Sequence, residues 1–136
     1  MDPRLKTTAS RSRAANHDPA VEPLLYAIEA DGRSLFYVTD TATLPEATWR
    51  AFRRHEQRFD VVILDHTYGP DEPGSDHLSA HQLIEHAARM REEGLLAADA
   101  RVLATHLAHA GNPVHPELAE FAAGHGYEVA YDGLTV

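Results

Sequence analysis

The strongest constraint on the fold is a series of short apolar runs, each closing on a side chain that can bind a metal or a proton. SLFYVTD (34–40), FDVVILD (59–65) and RVLATHLAH (101–109) each read as a strand, and they deliver Asp40, Asp65 and His106 to the strand ends. Between them lie segments whose apolar residues recur at helical spacing. Such alternation builds parallel strands joined by right-handed crossovers, so the expected fold is α/β, a mixed sheet covered by helices.

Residues 1–15 carry Arg4, Lys6, Arg11 and Arg13 against Asp2, show no apolar periodicity, and read as an irregular basic arm. The regular part begins at residue 16. Residues 24–30 read as a strand, Asp31-Gly32 as a hairpin turn able to take positive φ, and 34–39 as the returning strand. Thr43 and Glu46 have the spacing of a capping box, and Trp49 and Phe52 mark the stripe of a helix ending near Gln57. The run 59–64 is nearly continuous, as in a strand covered on both faces. Residues 68–77, with Gly69, Pro70, Pro73 and Gly74, form a loop long enough to fold over a site. Ser79 and Gln82 make a second capping box, ahead of a helix with Leu83, Ile84, Ala87 and Ala88 on one face and a stop near Gly94. The strand 102–104 follows, then a loop through Gly111-Asn112-Pro113 and a helix over 116–123 with Leu118, Phe121 and Ala122 inward. A strand at 127–131 and the turn Asp132-Gly133 follow, and 134–136 begin another strand.

At 136 residues the chain amounts to one domain with room for a core. Cysteine is absent, which excludes disulfides, thiolate metal sites and cysteine nucleophiles, so any metal must be held by carboxylate and by some of the ten histidines. A net charge of −9 argues against nucleic acid as a partner. No run approaches a membrane span and no secretory pattern opens the chain, so the expectation is a soluble, cytoplasmic protein without membrane contact.

Sites in open α/β sheets lie outside the carboxyl ends of the strands, where Asp40, Asp65 and His106 would meet. Carboxylate with neutral imidazole is the donor set of zinc, manganese or iron. Each residue also has a structural reading. Asp40 can cap its loop through an Asx turn, His106 can be a hydrogen-bonded structural histidine, His17 sits in the ordinary loop sequence Asn16-His17-Asp18-Pro19, and His77 can simply precede the helix cap. His55, His81, His86, His115 and His125 fall on helices or their ends and read as surface residues.

In order, Asn16-His17, Tyr37-Val38-Thr39-Asp40-Thr41, the run 60–65, Asp76-His77, Thr105-His106-Leu107-Ala108-His109 and Tyr131-Asp132-Gly133 resemble the metallo-β-lactamase-fold hydrolases. The nearest branch is the cyclic phosphodiesterases of phosphonate breakdown. This resemblance runs from residue 16 to the C-terminus and implies that 16–136 form the C-terminal half of an αββα sandwich. It implies metal-ligand roles for His17, on the first metal, Asp40, bridging two metals, and His106, on the second. It further implies that His77 protonates the leaving oxygen and that His109 contacts substrate or supports the ligands. In such sites two metals roughly 3.5–4 Å apart activate a water and stabilise the phosphoryl oxygens.

The family's HxHxDH motif, which supplies the remaining ligands, does not occur in this sequence. The activity implied is metal-dependent hydrolysis of a small phosphodiester, with a two-metal site only where another chain completes it; the partners expected are a homo-oligomer or a complementing chain. The contrasting expectation is a non-catalytic relative that binds a partner through the sheet face its other half would cover. A lesser alternative comes from FDVVILD, which resembles the phosphoacceptor strand of a receiver domain. Receivers need a lysine after a later strand, and the lysine of this chain is Lys6, in the arm.

Overall fold

The protein is described here by a computed structural model covering residues 24–136. Strands β1 (Tyr26–Ala30) and β2 (Arg33–Val38) form an antiparallel hairpin. Asp31 and Gly32 both take positive φ, 51° and 75°, the type I′ geometry that matches the twist of the flanking strands. The chain then alternates through α1 (Glu46–Arg54), β3 (Phe59–Asp65), α2 (Ala80–Glu92), β4 (Leu96–Thr105), α3 (His115–Gly124) and β5 (Glu128–Val129). The sheet order among the described residues is β1-β2-β3-β4-β5, parallel from β2 onward. A receiver domain reverses its strand order between its first and third strands, and no such reversal occurs here.

Monotonic order with right-handed crossovers puts every helix on the same face of the sheet. Core membership agrees, because Phe36, Val38, Val62, Leu64, Ala104 and Val129 alternate along their strands and join a single cluster with residues of all three helices. Phe36 lies at its centre, edge-on to Phe52 at 4.9 Å and stacked on Phe59 at 5.0 Å. Each helix ends in a Schellman motif, closed by Gln57 N–H to Phe52 O, Leu95 N–H to Met90 O, and Tyr127 N–H to Ala122 O. Leu95 and Tyr127 thereby enter the core as the chain turns toward the next strand.

Several expectations are corrected by tertiary contacts. The Thr43–Glu46 capping box does not form, since the helix starts after Pro45 and Glu46 bonds Arg53 and Arg89 instead. The Ser79–Gln82 box is present in both directions. Ala88 faces solvent, and His86, expected at the surface, is buried in its place. Strand β4 is longer than 102–104, because passing from Phe59 to Val61 on β3 moves the partner from Leu96 to Arg101, an irregular stretch with no alternation to read. Residues 134–136 form no strand; Leu134 N–H bonds Tyr131 O in a turn, and Arg101 holds Thr135 O.

His86 is wired as a neutral imidazole, its Nδ1–H donating to Gln82 O (2.8 Å) and its Nε2 accepting from Leu44 N–H (3.0 Å). Burial pushes its pKa below the ordinary histidine value. The unfolded chain therefore takes up the proton first, so stability is intact above about pH 6.5 and is lost as pH falls through that value. Thermal melts between about pH 8 and pH 5 are expected to show this fall, flattened in His86→Gln; equal slopes in both proteins would refute it.

Candidate metal centre

Parallel alignment brings the carboxyl ends of β2, β3 and β4 side by side. Asp40 follows β2, Asp65 is the last residue of β3, and His106 follows β4. Asp40 and His106 both sit in the left-handed region, φ 55° and 57°, where non-glycine residues are uncommon and tend to mark functional sites. His77 arrives from the loop before α2. That loop is pinned to the strand end by Tyr68 N–H to Leu78 O (3.2 Å) and Ala80 N–H to Gly69 O (2.9 Å).

Asp40, His77 and His106 each offer a ligand atom, and these atoms lie within 4.8 Å of one another, a possible His/Asp metal site. Asp40 Oδ1 is 3.9 Å from His106 Nε2 and 3.8 Å from His77 Nδ1, and the two imidazoles stack at 5.2 Å. Bonds of roughly 2.0–2.2 Å to a first-row divalent ion set neighbouring ligand atoms roughly 3–4 Å apart, so Asp40 Oδ1 and His106 Nε2 fit such an ion in spacing and donor type, whereas His77 Nδ1 is also bonded to Asp65.

Asp65 stands behind this set, fully buried. Its Oδ2 accepts from Thr41 N–H (3.2 Å) and His77 Nδ1–H (3.1 Å), and its Oδ1 from Thr67 N–H (2.9 Å) and Thr67 Oγ1–H (2.7 Å). Every partner is a donor, which suits an acceptor-only carboxylate. The single Thr67 Oγ1 proton has two oxygen acceptors, the charged and nearer Asp65 Oδ1 (2.7 Å) and His106 O (3.0 Å), so Oγ1 faces His106 Nδ1 (2.8 Å) as an acceptor and His106 carries its hydrogen on Nδ1. Asp65 thus fixes the tautomer of both histidines, directly for His77 and through Thr67 for His106, and leaves the His106 Nε2 lone pair toward Asp40.

His17 lies outside the described residues. His109 is exposed and does not join the set. What sequence reasoning missed is the layer beneath. His66 is fully buried, with Nδ1 on Asn112 Oδ1 (2.9 Å) and Nε2 on Tyr127 OH (2.8 Å). Burial pushes the His66 pKa down and the Tyr127 phenol up, keeping both neutral. A histidine directly after the strand-end Asp65 was the available signal, but its partners are 46 and 61 residues away. Gly69 and Gly111 mark where the two loops cross: a Cβ at Gly69 would strike Gly111 O, and one at Gly111 would strike Tyr68 O. Gly111→Ala is therefore expected to cost about 1–3 kcal/mol by forcing the loops apart, measurable by urea unfolding; an unchanged midpoint would contradict the crossing.

One-sided helix packing on a mixed sheet, with a carboxylate and imidazoles at its carboxyl edge, defines an α/β fold with a possible metal site. The chain belongs to the beta-lactamase superfamily domain family, which matches residues 2–107. Among solved structures, it is similar to a diphosphatase of the PhnP family, with 23% identity, a TM-score of 0.57, and coverage of 83% of this chain and 38% of that one. The metallo-beta-lactamase fold protein YhfI from Bacillus subtilis has 17% identity, a TM-score of 0.56, and coverage of 93% and 47%. An isothiocyanate hydrolase from Delia radicum gut bacteria has 19% identity, a TM-score of 0.51, and coverage of 83% and 42%. At these identities the likeness is one of fold, and the chain matches part of the metallo-β-lactamase sandwich, spanning less than half the length of each structure. No curated protein matches the sequence. No helix among the described residues is long and apolar enough to cross a membrane.

Proposed function

We propose that residues 16–136 are the C-terminal half of a metal-dependent hydrolase directed at phosphodiesters, supplying part of its metal-binding set. The observation that carries this reading is the convergence of Asp40, His77 and His106 within 4.8 Å, backed by a buried carboxylate. Asp40 and His106 would hold a divalent ion, zinc or manganese by donor type, with iron also suited and His17 as a further ligand. When bound, the ion supplies Lewis-acid polarisation of a phosphoryl oxygen and makes a water more acidic.

The chain's own residues do the rest. His77, with Nδ1–H held by Asp65 beside Asp40, would deliver a proton to the leaving oxygen from its other ring nitrogen. Asp65 compensates the positive charge that the imidazole carries when doubly protonated. His109, exposed three residues beyond His106, would contact substrate or support the ligands. Residues 16–136 contain no HxHxDH, so a two-metal site takes its other ligands from outside them.

The test is calorimetric titration of chelator-free protein with Zn2+ and with Mn2+, followed by assay on an aryl and a cyclic phosphodiester, alone and with an HxHxDH-bearing complementing chain. Metal uptake that falls by about tenfold or more in Asp40→Ala and His106→Ala, with chelator-sensitive turnover in the completed assembly, is the expected result. Absence of both uptake and chelator-sensitive turnover would overturn it.

A second reading rests on the face of the sheet opposite the helices. Tyr26 and Tyr37 pair across β1 and β2 there, each 41% exposed, beside the partly exposed Ile28, Leu35 and Ile63. Apolar surface of this kind suits a partner, making the chain a binding or complementing subunit. Size-exclusion chromatography tests it, and a well-folded monomer that also binds no metal would overturn both readings.

A further inference from the structure

Beneath the metal set, two loops that carry it are joined by one side-chain amide. Asn112 Nδ2 donates to three backbone carbonyls, His66 O (3.2 Å), Thr67 O (3.0 Å) and Ala108 O (2.9 Å). The first two belong to the loop after β3, which presents Thr67. The third belongs to the loop after β4, which presents His106. Ala108 N–H to Thr67 O (3.2 Å) links the same two loops, and Thr67 Oγ1 lies 3.0 Å from His106 O.

The orientation of Asn112 is determined by its surroundings. Its NH2 must face the carbonyls, so Oδ1 faces His66 Nδ1, which therefore carries the hydrogen. His66 Nε2 is then an acceptor, and Tyr127 O–H is its donor. The relay Asn112–His66–Tyr127 has one consistent proton arrangement, anchored in the core through Tyr127, which is buried at the end of α3. The glycine crossing supports the same contact, since a Cβ on Gly69 would also strike Asn112 Oδ1 at 2.7 Å. At the crossing itself the loops approach closely because neither Gly69 nor Gly111 carries a side chain.

We infer that Asn112, held by His66 and Tyr127, is a positioning residue that sets the spacing between Thr67 and His106 and so keeps His106 in its Nδ1–H tautomer. The consequence for metal binding rests on the function proposed above; the consequence for the tautomer does not.

Long-range 1H–15N spectra of the imidazoles in the full chain test this, together with Zn2+ titration. In the wild type both His66 and His106 are expected as single Nδ1–H tautomers. Asn112→Asp keeps the shape and an acceptor for His66 but has no donor for the carbonyls, and Asn112→Ala has neither. Both are expected to turn the His106 signal into a mixture of tautomers and to weaken Zn2+ binding about tenfold, with the fold retained. Should Asn112→Ala not fold, Asn112→Asp and Tyr127→Phe carry the test, the latter expected to release the His66 tautomer while keeping ring packing. A folded Asn112→Asp in which His106 remains a single Nδ1–H tautomer, or a wild type in which His66 carries its hydrogen on Nε2, would overturn the inference. A wild type that takes up no Zn2+ would overturn the metal reading alone, because the His106 tautomer still decides the role of Asn112.

Discussion

Replacing Asp65 with asparagine is expected to weaken Zn2+ or Mn2+ binding by about 10–100-fold, the effect typical of groups that orient metal ligands. The size follows from the partner set. Thr41 N–H and His77 Nδ1–H point at one oxygen, and Thr67 N–H and Oγ1–H point at the other. An asparagine NH2 placed on either side meets two donors and can accept from neither. Toward Oδ2 it pushes His77 out of its Nδ1–H tautomer or strands the Thr41 amide. Toward Oδ1 it reverses Thr67, and His106 loses the acceptor that fixed its own proton. Calorimetric titration with far-UV dichroism as a check on folding measures this. Binding within about twofold of the wild type, in a folded protein, would show that Asp65 does not orient the histidines.

The largest expected loss of stability is for Trp49→Ala, about 3–5 kcal/mol, against the roughly 5–15 kcal/mol that holds a typical domain folded. Trp49 is 2% exposed, packs on Phe52, and carries the Arg89 guanidinium over its ring at 4.1 Å. Its Nε1–H also donates to Leu44 O (3.3 Å), while Leu44 N–H donates to His86 Nε2 (3.0 Å). The Leu44 residue is thus held at both its amide and its carbonyl, and with it the segment that runs from Asp40 into α1. Truncation therefore opens a cavity and loosens the loop that bears Asp40. Urea unfolding gives the stability change, and a loss under about 1.5 kcal/mol would contradict the assigned packing. Trp49→Phe, which keeps an aromatic ring but drops the hydrogen bond, should lie between the two.

Much of the architecture is legible in single residues and their neighbours. The Asp31-Gly32 pair dictates the hairpin because both positions need positive φ. Ser79 and Gln82 cap α2 because the two groups lie within one turn of each other. The apolar runs at β2 and β3 give strands because alternate and continuous burial leave different patterns. Thr43 and Glu46 have the same local spacing as a cap, yet fail to form one. Arg89, 43 residues later, draws Glu46 away, and no local pattern reports that.

Strand ends, by themselves, pointed to Asp40, Asp65 and His106, since a polar residue closing an apolar run must leave the sheet at its edge. The sequence alone determined which side chains reach that edge. Only the tertiary structure decided which of them meet: that His77 joins Asp40 and His106, that His109 does not, and that Asp65 sits behind the set. It alone showed His66, Asn112 and Tyr127 as one relay and His86 as a core residue. Periodicity specifies the face on which a side chain lies, whereas a hydrogen bond between residues 24 to 61 positions apart depends on strand order and loop crossing, which the whole fold fixes at once.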